Sequence, residues 1–426
     1  MDIFVCKLYD SDSFDINGAE VVNLNDNHLY NYTFWNKSRK LYRIPNCFTN
    51  EALDLFYLSL MVFYADRKIQ RNNQADRWTR DIEIYMPVFS VQKWTNNAHI
   101  LKAALDFLTG DNWTIHFRER YCLTDDEIKY KNGRYRYRNS IKKVDADAFC
   151  MLSGGLDSFI GAIDLLSEGN KPIFVGNYNG GKGVSVYQKR VIESLIAHFN
   201  VPKEHFYQFY AAPKRGKEDT TRSRSLLFFS HAILLASGMG KPIKLYIPEN
   251  GVISMNIPLT EHRMGSLSTR TTHPYFMELL QTLISNIGLN ITVENPYQFK
   301  TKGEMMEDCK DFDYLSQSYV LTMSCSHPDL GRWKKERESN HCGVCLPCTI
   351  RRAAIHHAGI IDNSKYRDPE YKDAEVNLRS YQLGLSRDKE PLFAIQESGP
   401  IKYERRRFAE LYQRGLEELK QFIDTL

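Results

Sequence analysis

Apolar and polar residues follow two different rhythms along this chain, and the change between them comes near residue 145. Before it the pattern is mixed. DIEIYMPVFSV (81–91) and NWTIHFRERY (112–121) alternate with the period of two shown by strands buried on one face. Asn50–Ala65 and Ala98–Leu108 carry apolar residues at helical spacing, the second running to Gly110. The stretch 126–143 sets an Asn-Gly pair between alternating aromatic and polar residues, which predicts a β-hairpin. From Asp145 onward, short apolar runs at 148–152, 172–178, 205–211, 243–248 and 290–296 alternate with helical patterns. Strands separated by helices predict a parallel sheet covered on both faces. After Cys348 the chain reads as helical. In 404–426, Phe408, Leu411, Leu416, Leu419, Phe422 and Ile423 share one helix face, a packing or oligomer surface.

Composition narrows the class. The 426 residues are 42% hydrophobic and 25% charged, which supports a packed core and excludes a disordered scaffold. Two or three domains are expected at about 150 residues each. The densest apolar stretch, Leu55–Ala65, is too short for a spanning helix, which needs about 20 residues. MDIFVCKLYDSDSFD carries neither a basic nor an apolar signal region, so a cytoplasmic, non-membrane protein is expected. The formal charge of +4 is spread along the sequence and gives no indication of nucleic acid.

Two motifs carry chemistry. Ser153-Gly154-Gly155-Leu156-Asp157-Ser158 lies between the first apolar run after Asp145 and a helical pattern. The glycines allow a tight turn and close backbone approach, and the amides that follow open a helix toward an anion. Asp157 can cap that helix or hold Mg²⁺ beside phosphate. The Walker-type G-x-x-x-x-G-K-[ST] loop is absent. Among nine cysteines, Cys342, Cys345 and Cys348 follow Cys325 after a polar 16-residue spacer. Four thiolates in this spacing suit a closed, structural Zn²⁺ site in a reducing compartment, with His327 and His341 as alternative ligands.

At the first motif the chain resembles the PP-loop, or N-type, ATP pyrophosphatases. With the cysteine cluster and Arg351 or Arg352 beside it, it looks like QueC, the 7-cyano-7-deazaguanine synthase branch, over roughly residues 145–360. That resemblance implies an α/β fold of the adenine nucleotide alpha hydrolase kind. Its parts would be a doubly wound parallel sheet with a zinc segment, an added α+β N-terminal domain and a helical tail. The boundaries are 1–143, 144–362 and 363–426.

The resemblance also implies an ATP-dependent C–N ligase using ATP, Mg²⁺ and Zn²⁺, which activates a deazaguanine carboxylate as an acyl-adenylate. Ser153, Gly154, Gly155, Leu156, Asp157 and Ser158 would hold the triphosphate. Arg222 and Arg224, in the place of QueC's G-R-N-x-x-F-L segment, and Lys302, in its K-x-E-I helix start, would stabilise pyrophosphate. The alternative for Lys302 is solvation beside a Thr301–Glu304 capping box.

The base-reading segment departs from QueC. In its place stand Pro248–Pro258 and Arg263–Phe276, where Glu249 and Asn250 are candidates for a purine-like edge, Arg263 and Arg270 for a phosphate or carboxylate, and His273 for a general base or simply the close of the loop before Pro274. The second strand also ends differently, in Asn177-Tyr178-Asn179-Gly180-Gly181-Lys182-Gly183. The added domain and these changes look like the QueC-like components of bacterial anti-phage defence systems, Qat more closely than CBASS. A deazaguanine-type molecule and a protein partner docking on residues 1–143 are therefore expected. A nucleotide- or deazaguanine-binding component without turnover is the alternative.

Overall fold

β-Branched and aromatic runs build two parallel sheets, and two largely buried helices, Asn50–Lys68 and Arg224–Ser237, pack between them. The computed structural model describes residues 2–178, 182–220, 222–259, 270–331, 336, 338–387 and 389–426. In the first sheet, β1 (Asp2–Lys7) pairs with β2 (Glu20–Asn23) and β4 (Asp81–Val88), and β4 with β5 (Asn112–Glu119), every pair parallel. The first unit is thus α/β rather than the expected α+β. Alternation marks a strand but not its direction, and the helices Asn50–Lys68 and Ala98–Thr109 lie in the crossovers that lead into β4 and β5.

The predicted hairpin at 126–143 is replaced by a helix, Asp125–Arg136. Thr124 and Glu127 close a capping box, with acidic residues in the first turn and Arg134 and Arg136 in the last. Those end effects outweigh the Asn-Gly pair. Gly133 lies beneath the Tyr42 hydroxyl, where a Cβ has no room.

The second sheet follows the expectation closely. β6 (Ala148–Met151), β7 (Pro172–Asn177), β8 (Phe206–Phe209), β10 (Ile243–Tyr246) and β11 (Ile291–Glu294) stand in the order β11-β10-β6-β7-β8, all parallel. The order reverses beside β6, so the loops after β6 and β10 diverge there and leave a crevice at the strand C-termini.

The two units share one core. Ala52–Asp66 are all buried, and their helix packs along Arg224–Ser237, where Ser59 Oγ meets Ser230 Oγ at 2.7 Å. A contiguous apolar cluster runs from Phe4 and Ile84 through Phe56 and Leu234 to Phe149 and Ile291. β3 (Tyr30–Tyr32) pairs antiparallel with β9 (Ala211–Pro213), a further seam between the units. The tail helix Arg405–Ile423 buries Phe408, Leu411, Leu419, Phe422 and Ile423 against the rest of the chain. Among the described residues no helix is long and apolar enough to cross a membrane.

Candidate active site and metal centre

The Ser153–Ser158 loop sits at the C-terminal end of β6 and opens the helix Leu156–Ser167. Gly154 has φ +86°, and a Cβ there would come within 2.8 Å of Gln188 Cγ, so the residue must be glycine twice over. Gly155 is the N-cap and gives the helix no side-chain cap. Leu156 N is taken by Ser324 Oγ at 3.4 Å, so among the described residues the amides of Asp157 and Ser158 are the first-turn donors left to an anion. The serines brace the turn: Ser153 Oγ lies 3.0 Å from Ser158 Oγ and accepts from Gly155 N at 3.2 Å. The donor set and exposed Ser153 fit a polyphosphate.

Loops following three strands meet at this mouth. Lys302 Nζ lies 2.7 Å from Asp157 Oδ1, both side chains largely buried. Asn250 donates to Asp157 Oδ2 through its backbone N–H at 3.1 Å and its amide at 2.8 Å. Asn250 also caps the short helix Gly251–Met255. Glu249 accepts from Thr272 Oγ1, and burial pushes its carboxyl up to about 7, Asp157 adding to the rise and Lys302 opposing it. The Thr301–Glu304 capping box is present, yet Lys302 is ion-paired, not solvated. Four other members of this network give no sequence motif. Asn295 joins Glu249 to Ser254, Thr272 meets Ser254 Oγ at 2.9 Å, and Gln188 donates to the Asn177 carbonyl. Glu418, from the tail helix, accepts from Thr301 Oγ1 and from Gly303 N at 3.1 Å.

The candidate arginines go elsewhere. Arg222 donates to the Thr109 carbonyl at 2.7 Å and stacks on Trp78, while Arg270 donates to the Phe107 carbonyl at 2.8 Å. Both thus serve the C-terminus of the helix Ala98–Thr109, where the dipole favours cations. The neighbouring Ser223 gives its N–H and hydroxyl to Asp66, which fixes this segment against the first unit. Arg224 lies over Phe228, and burial with nearby Arg67 lowers its pKa to about 10. His273 caps the helix Pro274–Asn286 through Nδ1, and burial beside Arg270 depresses its pKa to about 3. Arg263, with Asn179–Gly181 of the second-strand ending, lies outside the described residues.

Cys325, Cys342, Cys345 and Cys348 converge, their sulfurs all within 4.8 Å of one another. Cys342–Cys348 and Cys325–Cys345 stand at 3.8 and 4.0 Å, close to the roughly 3.8 Å that tetrahedral Zn–S bonds of about 2.3 Å require. Backbone N–H groups of His327, Cys342 and Cys345 point at the sulfurs from 3.3 Å, as suits thiolates. Gly343, at φ +90°, allows the sharp turn. The donor set fits zinc. His341 turns Nε2 to the Thr322 carbonyl and Nδ1 toward Cys348 Sγ at 3.9 Å, at the edge of the cluster that the four sulfurs form. Arg351 is buried on Thr322 and Tyr319, and Arg352 reaches the Gly343 carbonyl. The segment before Cys325 also holds the phosphate loop: Met323 N donates to the Gly154 carbonyl at 2.9 Å, and Ser324 Oγ accepts from Leu156 N at 3.4 Å.

A parallel α/β sheet with this loop at its switch point and a four-cysteine cluster beside it fits a PP-loop-like fold. Residues 271–359 match the family described as queuosine biosynthesis protein QueC. The chain is similar to the 7-cyano-7-deazaguanine synthase of Methanococcus vannielii, 24% identical over 247 residues, covering 51% of this chain and 98% of that protein. Those of Rickettsia bellii (23%) and Novosphingobium aromaticivorans (25%) align over 242 residues, again 51% of this chain, and cover 97% and 94% of the relatives. No solved structure gives a significant match.

Proposed function

We propose that this chain is an ATP-dependent ligase that activates the carboxylate of a deazaguanine-type compound as an acyl-adenylate. One observation carries the reading: the uncapped helix start after β6 faces a buried Asp157–Lys302 pair at the sheet's switch point. Ser153, Gly154, Gly155, Leu156 and Ser158 hold the triphosphate by backbone and hydroxyl donors. Lys302 is placed to neutralise the charge on the departing pyrophosphate, and Asp157 beside it would be the residue to hold Mg²⁺, which would supply charge neutralisation at the phosphates. Glu249, next to Asp157, takes the polar edge of the base, while Asn250, fully engaged by Asp157 and Ile253 N, holds Asp157 in place. The half of the chain beyond the alignment with synthases favours an acceptor larger than ammonia, an amine on a protein partner in an anti-phage defence system.

Incubation with ATP, Mg²⁺ and 7-carboxy-7-deazaguanine should release AMP or ADP, and intact mass spectrometry of co-expressed proteins should show a deazaguanine-sized adduct. A second reading, binding without turnover, draws on Arg222 and Arg270 being engaged by helix carbonyls. Tight ATP binding with no nucleotide product would select it over the ligase.

A further inference from the structure

Positive charge that is diffuse in sequence is gathered in the fold. Residues 37–43 hold Lys37, Arg39, Lys40 and Arg43 without a carboxylate, and 126–143 hold seven Lys or Arg against Asp126 and Glu127. Of those two acids, Glu127 is already bound to Arg120. The segments lie side by side. Arg43 donates to the Lys142 carbonyl, Lys143 Nζ reaches the Tyr42 carbonyl at 2.6 Å, and Tyr42 stacks on Tyr137 at 5.9 Å.

A groove lies between them and continues past Ser140 along residues 135–140. One cavity of about 490 Å³ is lined by Arg39, Lys40, Arg43, Lys203 and Tyr137. The next, of about 410 Å³, is lined by Tyr135, Arg136 and Arg138, and Ser140 borders both. Glu204, the one carboxylate on the rim, is paired with Arg43 at 3.4 Å. Among the described residues Lys37, Arg39, Arg136 and Lys203 have no carboxylate partner. Cations without a carboxylate partner along and beside one groove suit a polyanion.

The spacing of aromatic residues identifies which polyanion. Arg134-Tyr135-Arg136-Tyr137-Arg138 alternates charge and ring, and Tyr135 and Tyr137 are 74% and 42% exposed. Exposed rings between cations bind unpaired bases by stacking while the cations follow the phosphates. A duplex hides its base faces, and an acidic protein segment uses the charges but leaves the rings idle. We propose that this groove of the first unit, completed by Lys203, binds single-stranded nucleic acid. The proposal stands apart from the ligase reading, because it uses none of the loop or cysteine residues.

The test is fluorescence anisotropy of the full chain with fluorescein-labelled 20-nucleotide oligo(dT) and oligo(U) from 50 to 300 mM salt. Binding should weaken with salt on a log–log slope of about −3.5 if roughly five phosphates are engaged. The double variant Arg136→Glu/Arg138→Glu, at exposed positions, should weaken binding at least tenfold with its melting temperature unchanged. Tyr135→Ala should weaken it about tenfold without altering the slope, and a duplex of equal length should bind less tightly. No binding at 50 mM salt, or equal binding by the charge-reversed variant, overturns the proposal. So does a neutral Tyr135→Ala combined with equal competition by polyglutamate, which would assign the groove to an acidic protein.

Discussion

Asp157 accepts two hydrogen bonds from Asn250 on one oxygen and meets Lys302 on the other, in a pocket already holding Glu249. Lys302→Met would leave buried carboxylates without their cation, at a cost of about 3 kcal/mol. Asp157→Asn keeps the shape and removes a charge, so its melting temperature should fall less. Both should lower ATP turnover at least a hundredfold, and the double variant should be less destabilised than the sum of the two, as thermal melts would show. Turnover near wild type in Asp157→Asn would show that the loop has been misassigned.

A second carboxylate tests burial itself. Asp54 accepts from Phe89 N and Trp94 Nε1, and burial raises its pKa from 3.8 to about 7. The folded state keeps that proton where the unfolded state has released it. This contribution is therefore full below pH 3.8 and is lost as pH rises to about 7. Asp54→Asn should gain about 4 kcal/mol relative to wild type between pH 4 and pH 8. Parallel stability curves for the two proteins would refute the assignment.

Single elements show why some of this was legible in the sequence and some was not. Ser153–Ser158 and the cysteine cluster are local patterns, so spacing alone placed each on its turn. The seam between them is invisible to spacing, because Met323 and Ser324 reach Gly154 and Leu156 only after the sheet has folded. The contact of Arg222 is hidden for the same reason: the Thr109 carbonyl to which it donates lies 113 positions earlier. The hairpin failed on competition between local signals, a capping box against one Asn-Gly pair. The seam makes a prediction. Cys345→Ser should lose bound zinc by metal analysis, lower stability by several kcal/mol, and weaken nucleotide binding at least tenfold because Met323 no longer fixes Gly154. Ser324→Ala should keep its metal and weaken nucleotide binding only a few-fold by calorimetry. A metal-free Cys345→Ser protein that binds ATP normally would show that the two sites are independent.

At the scale of the whole molecule, the change of rhythm near residue 145 marks a change of sheet but not a break in the core. Apolar patterning tells which face of an element is buried and is silent on what buries it. The nearly continuous apolar run in Asn50–Lys68 was the available signal, since a helix buried all round needs neighbours on every side. Its neighbours come from both units: Arg224–Ser237 along one flank, β4 along another. Asp66 holds Ser223, and β3 is paired with β9, so polar contacts cross the same seam. Cutting at residue 143 would uncover much of the helix that carries Leu226, Phe229, Ile233 and Leu234. At 1.5–3 kcal/mol per large apolar side chain, exposing about five approaches 10 kcal/mol, comparable with the whole stability of a domain. A fragment of residues 144–426 should therefore be insoluble or bind hydrophobic dye strongly, and the full chain should unfold both sheets in one transition. Urea titration followed by far-ultraviolet circular dichroism and by tryptophan emission tests this, because all five tryptophans except Trp333 lie in the first 113 residues. Coincident curves are expected. Separated curves, or a well-folded 144–426 fragment, would mean that the second unit stands without the first.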